Sequence, residues 1–388
     1  MAVVIPCFDE PNVCLTVQSL LNCMPPPCNL VVVVVLNAPD YAANSQIKQN
    51  EHSYSLLKKM AENCDYYIDI QIIKIYNIPA KEAGAGFARK VGMDYAIRLF
   101  HVLENPFGIL VSLDADCIVA TNYLQKIYAY FSNKMVNTAI IYFEHLLPDS
   151  KYETELYEAG MLYELYLRYY ALGLQYACFP YPYVTMGSAF AVRADAYVKV
   201  GGMNKKQAGE DFYFLHKVFA LGGIVKINDT VVYPAIRVSR RVVFGTGPSV
   251  LKILNDGCFK TFSVEAFCDL KALFDSVDNL YRIDLCRLND WFATLPESIV
   301  AFLQLSGEYA TKLPEINAHC ASLKSFRKRF FVWFNAFQIV KYMHFAHTHF
   351  FALSNVHFVA FSLLSKMQLL PQKVIITSEL VKLYRLLH

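Results

Sequence analysis

Five valines in succession, Val31 to Val35, followed by Leu36, leave a folded chain few places to put them. A continuous β-branched run reads as a strand that is apolar on both faces, which is what a parallel sheet covered by helices requires. Val3 to Ile5 reads the same way, and the stretch between the two reads as a helix. Asp69 to Tyr76 is a third strand, Gly84 to Phe100 a helix, Ile109 to Leu113 a fourth strand and Asn122 to Phe131 another helix. Strands alternating with helices of this length predict an α/β fold with right-handed crossovers. The rhythm then changes. Thr138 to Phe143 reads as a strand, Glu153 to Leu174 as a long tyrosine-rich helix, Ser188 to Val192 as a strand, and Asp211 to Ala220 as a helix closed by Gly222 and Gly223. Beyond about Pro248 the pattern is mainly helical, so the expected division is 1–247 and 248–388.

With 388 residues and 55% hydrophobic content the chain can bury a core without staples. Its formal charge of +3 is too small for a bulk nucleic-acid footprint, and no nucleic-acid partner is expected. Eleven cysteines without a Cys-x-x-Cys pair suit reduced, buried thiols better than a disulfide framework, which points to the cytoplasm. Met1 runs straight into Ala2 to Ile5 and Pro6, without the basic and apolar regions of a signal peptide. The mean hydropathy of +0.29 raises the question of a membrane span. Phe330 to Leu370 is the richest candidate, but Asn335, Gln338, Lys341, His344, His347, His349, Asn355 and His357 interrupt it, so a packed helical domain is expected. The basic knot Lys324, Arg327, Lys328 and Arg329 precedes Phe330, Phe331 and Trp333. It suits either a peripheral contact of 324–333 with an anionic membrane or a solvated helix face.

The chemistry concentrates where apolar runs end. Gly108 to Leu113 finishes in Asp114-Ala-Asp116, two carboxylates one residue apart at the carboxyl end of a strand, where open α/β sheets bind ligands. If the strand continues, both acids point to one side, and hard oxygen donors there suit Mg²⁺ or Mn²⁺ bridging to phosphates; a strand simply terminated by acids is the plainer reading. After the first strand, Pro6-Cys7-Phe8-Asp9-Glu10-Pro11 reaches the same sheet edge and can hold a base and ribose, or be an ordinary turn with an acid near a helix N-terminus. Lys81, Gly84, Gly86 and Arg89 open the helix after strand three. They can face a diphosphate, although close helix packing accounts for the glycines equally well, and the third glycine of a dinucleotide fingerprint is replaced by Arg89. Glu210 and Asp211 open another helix, where capping competes with the role of general base. Arg237, Arg240 and Arg241, ahead of Phe244-Gly245-Thr246-Gly247, suit phosphate or a solvated loop. His344, His347 and His349 lack acid or Cys partners and read as core or surface histidines.

Taken in order, Val3-Val-Ile-Pro6, Asp114-Ala-Asp116, Gly201-Gly-Met and Glu210-Asp211 resemble the family 2 glycosyltransferases. The resemblance covers about residues 1 to 245 and implies a GT-A fold, a Rossmann-like mixed sheet flanked by helices, here with a helical C-terminal region. It also implies inverting transfer from a nucleotide-diphospho-sugar with Mg²⁺ or Mn²⁺. By that match Asp116 contacts the metal, Asp114 the nucleotide or sugar, Asp211 is the base with Glu210 beside it, and Pro6, Phe8 and Glu10 belong to the nucleoside pocket. Asn37 stands where the family often has an acid that reads the base. The Gln/Arg-x-x-Arg-Trp signature of processive members is absent, so transfer of a single sugar is expected. The acceptor is left open, whether saccharide, lipid or protein hydroxyl. A nucleotidyltransferase uses a similar sheet, but Pro6-Cys-Phe-Asp-Glu stands where its glycine-rich basic loop belongs. A non-catalytic nucleotide- or carbohydrate-binding module is the alternative from another class.

Overall fold

The computed structural model describes residues 1–146, 154–205, 209–237, 246–370 and 376–387. They form two compact units, Met1–Gly160 with Thr185–Asn255, and Met161–Val184 with Asp256–Leu387. The first unit holds strands β1 (Ala2–Cys7), β2 (Leu30–Pro39), β3 (Ile68–Ile78), β4 (Ile109–Ser112), β5 (Cys117–Val119), β6 (Thr138–Phe143), β7 (Phe190–Arg193) and β8 (Ile224–Pro234). Its helices are α1 (Val13–Leu21), α2 (Asn44–Ala61), α3 (Ala85–Val102), α4 (Tyr123–Phe131), the start of α5 (Thr154–Tyr176), α6 (Ala194–Lys199), α7 (Glu210–Phe219) and α8 (Thr246–Asp256).

The strands make one mixed sheet of eight in the order β3-β2-β1-β4-β7-β6-β8-β5. Parallel pairing joins β3, β2, β1 and β4, whereas β7 runs antiparallel to both β4 and β6. The chain steps outward from β1 through β2 to β3, then returns to the other side of β1 as β4. That reversal is the topological switch point at which doubly wound sheets open a crevice. As the valine run requires, Val32 to Leu36 are fully buried.

Two strand ends differ from the expectation. Pro6 lies inside β1 rather than after it. The β1–β4 ladder joins Ala2, Val3 and Val4 to Leu110, Val111 and Ser112, and ends as the Leu113 N–H donates to the Val4 carbonyl. In a parallel strand alternate residues address the same neighbour, so Pro6 turns its missing N–H towards β4, just where the two strands part. The second difference is that β4 stops at Ser112 and Asp114–Asp116 forms a turn, closed by the Cys117 N–H on the Asp114 carbonyl at 3.2 Å. Period-two alternation therefore does not carry through the two acids.

Helix α3 packs on β1 and β2. A Cβ on Gly92 would stand 2.4 Å from Val4 Cγ1 and 3.1 Å from Val35 Cγ2, so here the absent side chain sets the helix-to-sheet distance. Overpacking a core of fixed strands costs about 1–3 kcal/mol. Gly92→Val should lower the denaturation midpoint accordingly, and Val4→Ala in the same chain should recover part of the loss. An unchanged midpoint in the single variant would refute the close approach.

The second unit is helical, with α9 (Val264–Asp275), α10 (Leu288–Phe292), α11 (Glu297–Ser306), α12 (Tyr309–Ala318), α13 (Leu323–Trp333), α14 (Ala336–His349), α15 (Val356–Lys366) and α16 (Thr377–Leu387), plus a two-stranded β9 (Lys260–Thr261) and β10 (Ser354–Asn355). The aromatic stretch 330–370 is thus divided among three helices, and among the described residues no helix is long and apolar enough to cross a membrane. On α13, Phe326 and Phe330 are buried while Lys324, Lys328 and Arg329 are exposed, and Arg327 pairs with Asp278 at 2.5 Å. Tyr163 and Tyr169 of α5 are buried beside Phe259 and Phe267. His347 accepts the Ser263 N–H on Nε2 at 2.8 Å, so Nδ1 carries the proton it donates to the Met343 carbonyl at 2.7 Å. Burial holds its pKa below the usual value, and both ring nitrogens of this half-buried histidine are used in backbone hydrogen bonds.

Candidate active site

The switch point between β1 and β4 gathers acids from three parts of the first unit. The Asp114–Asp116 turn is fastened at its middle by Thr16 of α1, whose hydroxyl donates to the Ala115 carbonyl at 2.8 Å. On one side Arg89, from the second turn of α3, bridges the turn to α7: Nη2 donates to Asp114 Oδ1 at 2.6 Å and Nη1 to Glu210 Oε1. On the other side Arg237, three residues beyond β8, donates from Nη2 to Asp116 Oδ2 at 2.6 Å and from Nη1 to Glu10 Oε2. The two acids of the turn therefore serve different partners. Among the described residues four carboxylates, Glu10, Asp114, Asp116 and Glu210, share these two guanidiniums.

Local geometry explains each placement. The antiparallel ladder between β5 and β8 sets Cys117 opposite Pro234, which delivers Arg237 to Asp116. Arg89 is 2% exposed, and a Cβ on Gly187 would stand 2.6 Å from its Nη2, so glycine is what lets the guanidinium pass. Gly187 is fixed in turn, its carbonyl accepting from Ser112 Oγ at 2.5 Å. Burial works against the charge of Arg89, but Asp114 and Glu210 outweigh it and its pKa rises above the ordinary value. Helix α7 begins after Gly209, whose φ of +69° is a left-handed conformation glycine takes without strain. Glu210 is buried against Arg89 rather than used as a cap. Asp211 is partly buried, accepts the Phe212 N–H on Oδ1 at 2.7 Å, and has its pKa raised from 3.8 to about 7. Burial is the main cause and the neighbouring Glu210 charge the next, with Arg89 opposing both.

The loop after β1 is held by α2, a helix not foreseen in the sequence. Asn50 accepts the Asp9 N–H on Oδ1 at 2.9 Å and donates from Nδ2 to the Asn37 carbonyl at 3.0 Å; Ser53 Oγ donates to the Glu10 carbonyl at 3.2 Å. Gln46 Nε2 reaches Asp9 Oδ2 at 3.3 Å, and Asp9 sits at a φ of +51°, a conformation Asp tolerates better than most. Asn37 is buried at the end of β2, its amide donating to the Cys7 carbonyl at 3.0 Å. Phe8 is partly exposed and Pro6 and Cys7 are buried. Lys81 is exposed in the turn leading to α3, and Gly84 is the N-cap residue of that helix. Arg240 and Arg241 lie outside the described residues, as does the loop through Gly245.

Of the residues that sequence patterning singled out, Asp114 and Glu210 are joined through Arg89, Glu10 and Asp116 are joined through Arg237, and Asp211 follows Glu210 on α7. Patterning missed Thr16, Asn50, Ser53 and Gly187, and it grouped Arg237 with a phosphate loop rather than with Glu10 and Asp116. Among the described residues no group of three or more His, Cys, Asp or Glu side chains is arranged to hold a metal ion by itself. The cysteines form no disulfide; Cys7, Cys23, Cys117 and Cys320 are buried, and Cys178 and Cys286 are exposed.

No family model matches the chain, and no curated protein matches it. Among solved structures it is similar to Staphylococcus aureus TarS 1–349 in complex with UDP-GlcNAc, at 13% identity and a TM-score of 0.43 over 86% of this chain and 91% of that one. The same protein in complex with UDP gives 13% identity and a TM-score of 0.41. GalNAc-T7 with UDP, GalNAc and Mn²⁺ gives 14% identity and a TM-score of 0.38 over 72% of this chain and 50% of that one.

Proposed function

We propose that this chain is a GT-A glycosyltransferase that moves a single sugar from a nucleotide-diphospho-sugar to an acceptor hydroxyl with inversion. One observation carries the reading: Arg89 is shared by Asp114, at the switch-point crevice, and Glu210, beside an Asp211 whose pKa is raised to about 7. A carboxylate poised near neutral pH beside a donor-binding turn is the equipment of general-base attack on a sugar carbon. Asp211 takes the proton of the acceptor hydroxyl, the acceptor oxygen bonds to the anomeric carbon, and the bond from that carbon to the diphosphate breaks on the opposite face. Arg89 ties Glu210, the residue before Asp211, to the Asp114 turn, and Glu10 with the loop of Phe8 and Cys7 faces the nucleoside.

The hard oxygen donors of Asp114 and Asp116 fit a divalent cation that arrives with phosphate, since Mg²⁺ and Mn²⁺ commonly use one or two carboxylates plus substrate oxygens. Asp116 would hold it with Asp114 on the donor side, and when bound it supplies neutralisation of the departing diphosphate.

The test is a thermal-shift panel of nucleoside diphosphates and nucleotide sugars with and without Mn²⁺, followed by product analysis of the anomeric configuration. One nucleotide series is expected to raise the midpoint by several degrees, because saturation at about 100 times Kd adds about 2.7 kcal/mol. Stabilisation without transfer or hydrolysis of any donor would instead favour a binding module. Retention of configuration in the product would remove Asp211 as the base.

A further inference from the structure

Between Glu315 and Glu379 the sequence contains no Asp or Glu, although the chain has 33. The helices of that stretch, α13 to α15, carry Lys324, Arg327, Lys328, Arg329, Lys341 and Lys366. In its middle α13 and α14 meet at a corner. Asn335 ties the corner from both sides, donating from Nδ2 to the Val332 carbonyl at 3.1 Å and accepting the Phe337 N–H on Oδ1 at 2.9 Å. The apolar side chains beside that clamp face outward, Val332 at 52% and Phe337 at 40% exposure, while Phe330 and Phe334 are buried. Lys324 and Lys328 are exposed two turns and one turn before Val332, on one stripe of α13. Lys341 is exposed one turn after Phe337 on α14, its Nζ 4.7 Å from the centre of that ring. An apolar tip is thus flanked by cations on both helices. Acids on the elements packed against α13 are engaged by other groups: Asp278 by Arg327, Glu315 by Lys312, and Glu308 by Trp333 and Gln338. Lys324 also stands in the first turn of α13, where the helix dipole favours an acid, and no acid is there. A face kept only for solvation has no use for that placement.

We infer that the α13–α14 corner docks on an anionic lipid bilayer, with Val332 and Phe337 entering the interface and Lys324, Lys328 and Lys341 held at headgroup phosphates. Cations beside an apolar tip match the two layers of such a surface, charge outside and hydrocarbon within. A nucleic-acid backbone supplies only the first of these. A second copy of this chain would set the same cations against themselves. The docking needs only the second unit and holds whether or not the first transfers sugar.

The experiment floats the full chain with vesicles of phosphatidylglycerol and phosphatidylcholine in equal parts, and with vesicles of phosphatidylcholine alone. At about 0.1 M salt the wild type is expected to rise with the anionic vesicles only, and to be released towards about 1 M, where the Debye length shrinks to about 3 Å. Lys324→Gln/Lys328→Gln/Lys341→Gln should weaken partitioning about a hundredfold, at about fivefold per cation. Val332→Ser/Phe337→Ser keeps every cation and should weaken it about tenfold. The lysine variant leaves the core alone, so it decides the matter even if the serine pair perturbs α14. No flotation with the anionic vesicles, or flotation that survives loss of the three lysines, would overturn the docking. So would a serine variant that folds and binds as wild type does, because a surface indifferent to its apolar tip would serve any polyanion, an RNA oligonucleotide included, rather than a bilayer.

Discussion

Asp211→Asn is expected to lower sugar transfer by about a thousandfold, within the 10²–10⁴ range that general bases contribute, while changing donor affinity by less than about threefold. The asparagine keeps the oxygen that accepts the Phe212 N–H, so helix α7 should start as before. On the proposed reading, wild-type transfer should fall as pH drops through about 7, where Asp211 acquires a proton. That acid limb should vanish with the variant's residual activity. Stability moves the other way. The native carboxyl holds its proton up to about 7 and the unfolded one only to about 3.8, so between those values the native state binds more protons and stability declines as pH rises. Above 7 the full penalty of a partly buried carboxylate remains. Asp211→Asn, free of it, should be more stable than wild type by about 1–3 kcal/mol at pH 7.5 and no different near pH 4. A variant of normal activity, or one destabilised at pH 7.5, would remove Asp211 from the role given to it.

Arg89→Met should be the most damaging single change in the crevice. It leaves Glu210 buried and Asp114 beside it with their shared cation gone, and removing one partner of a buried pair costs about 3–5 kcal/mol. The electrostatic consequence is separable from the structural one. Arg89, with the Phe212 N–H, holds the Asp211 pKa down against burial and Glu210, so in its absence that pKa should rise further. The acid limb of the rate profile should then move to higher pH, which a loss of packing alone would not produce. Adding Glu210→Gln should recover much of the stability and return the limb towards its wild-type position. Both recoveries failing would mean that Arg89 acts through packing.

The parallel half of the sheet was legible because its strands are buried on both faces and say so in their composition, the valine run most of all. Helix α2 was not, since its buried face is Asn50, Ser53 and Leu57, and a helix that presents amides to a loop carries no apolar stripe. Strands β5 and β8 escaped notice for a different reason. The three residues of β5 are too few for a period, and β8 contains Lys226, Asn228 and Asp229, with alternation broken midway. Missing β8 hid the contact of Arg237 with Asp116, because the pairing of β8 with β5 is what brings residue 237 to residue 116. The acids themselves were visible, and so was the order in which they occur. Their mutual contact was not, because it runs through Arg89, whose place beside glycines suggested phosphate binding or helix packing rather than a link between Asp114 and Glu210.

Pro6 gives this crevice a property that none of its acids supplies. Two parallel strands with a free donor and acceptor facing one another tend to zip, and a slot between them would have to be pried apart each time a ligand entered. With no N–H on the β4 side of residue 6, zipping ends at Val4 whether or not anything is bound. If the crevice takes the proposed donor, its capture should need no opening of the sheet, and the fraction of molecules ready to bind should not be thinned by a closed population. Association should be limited by diffusion and orientation rather than by a gate in the strands.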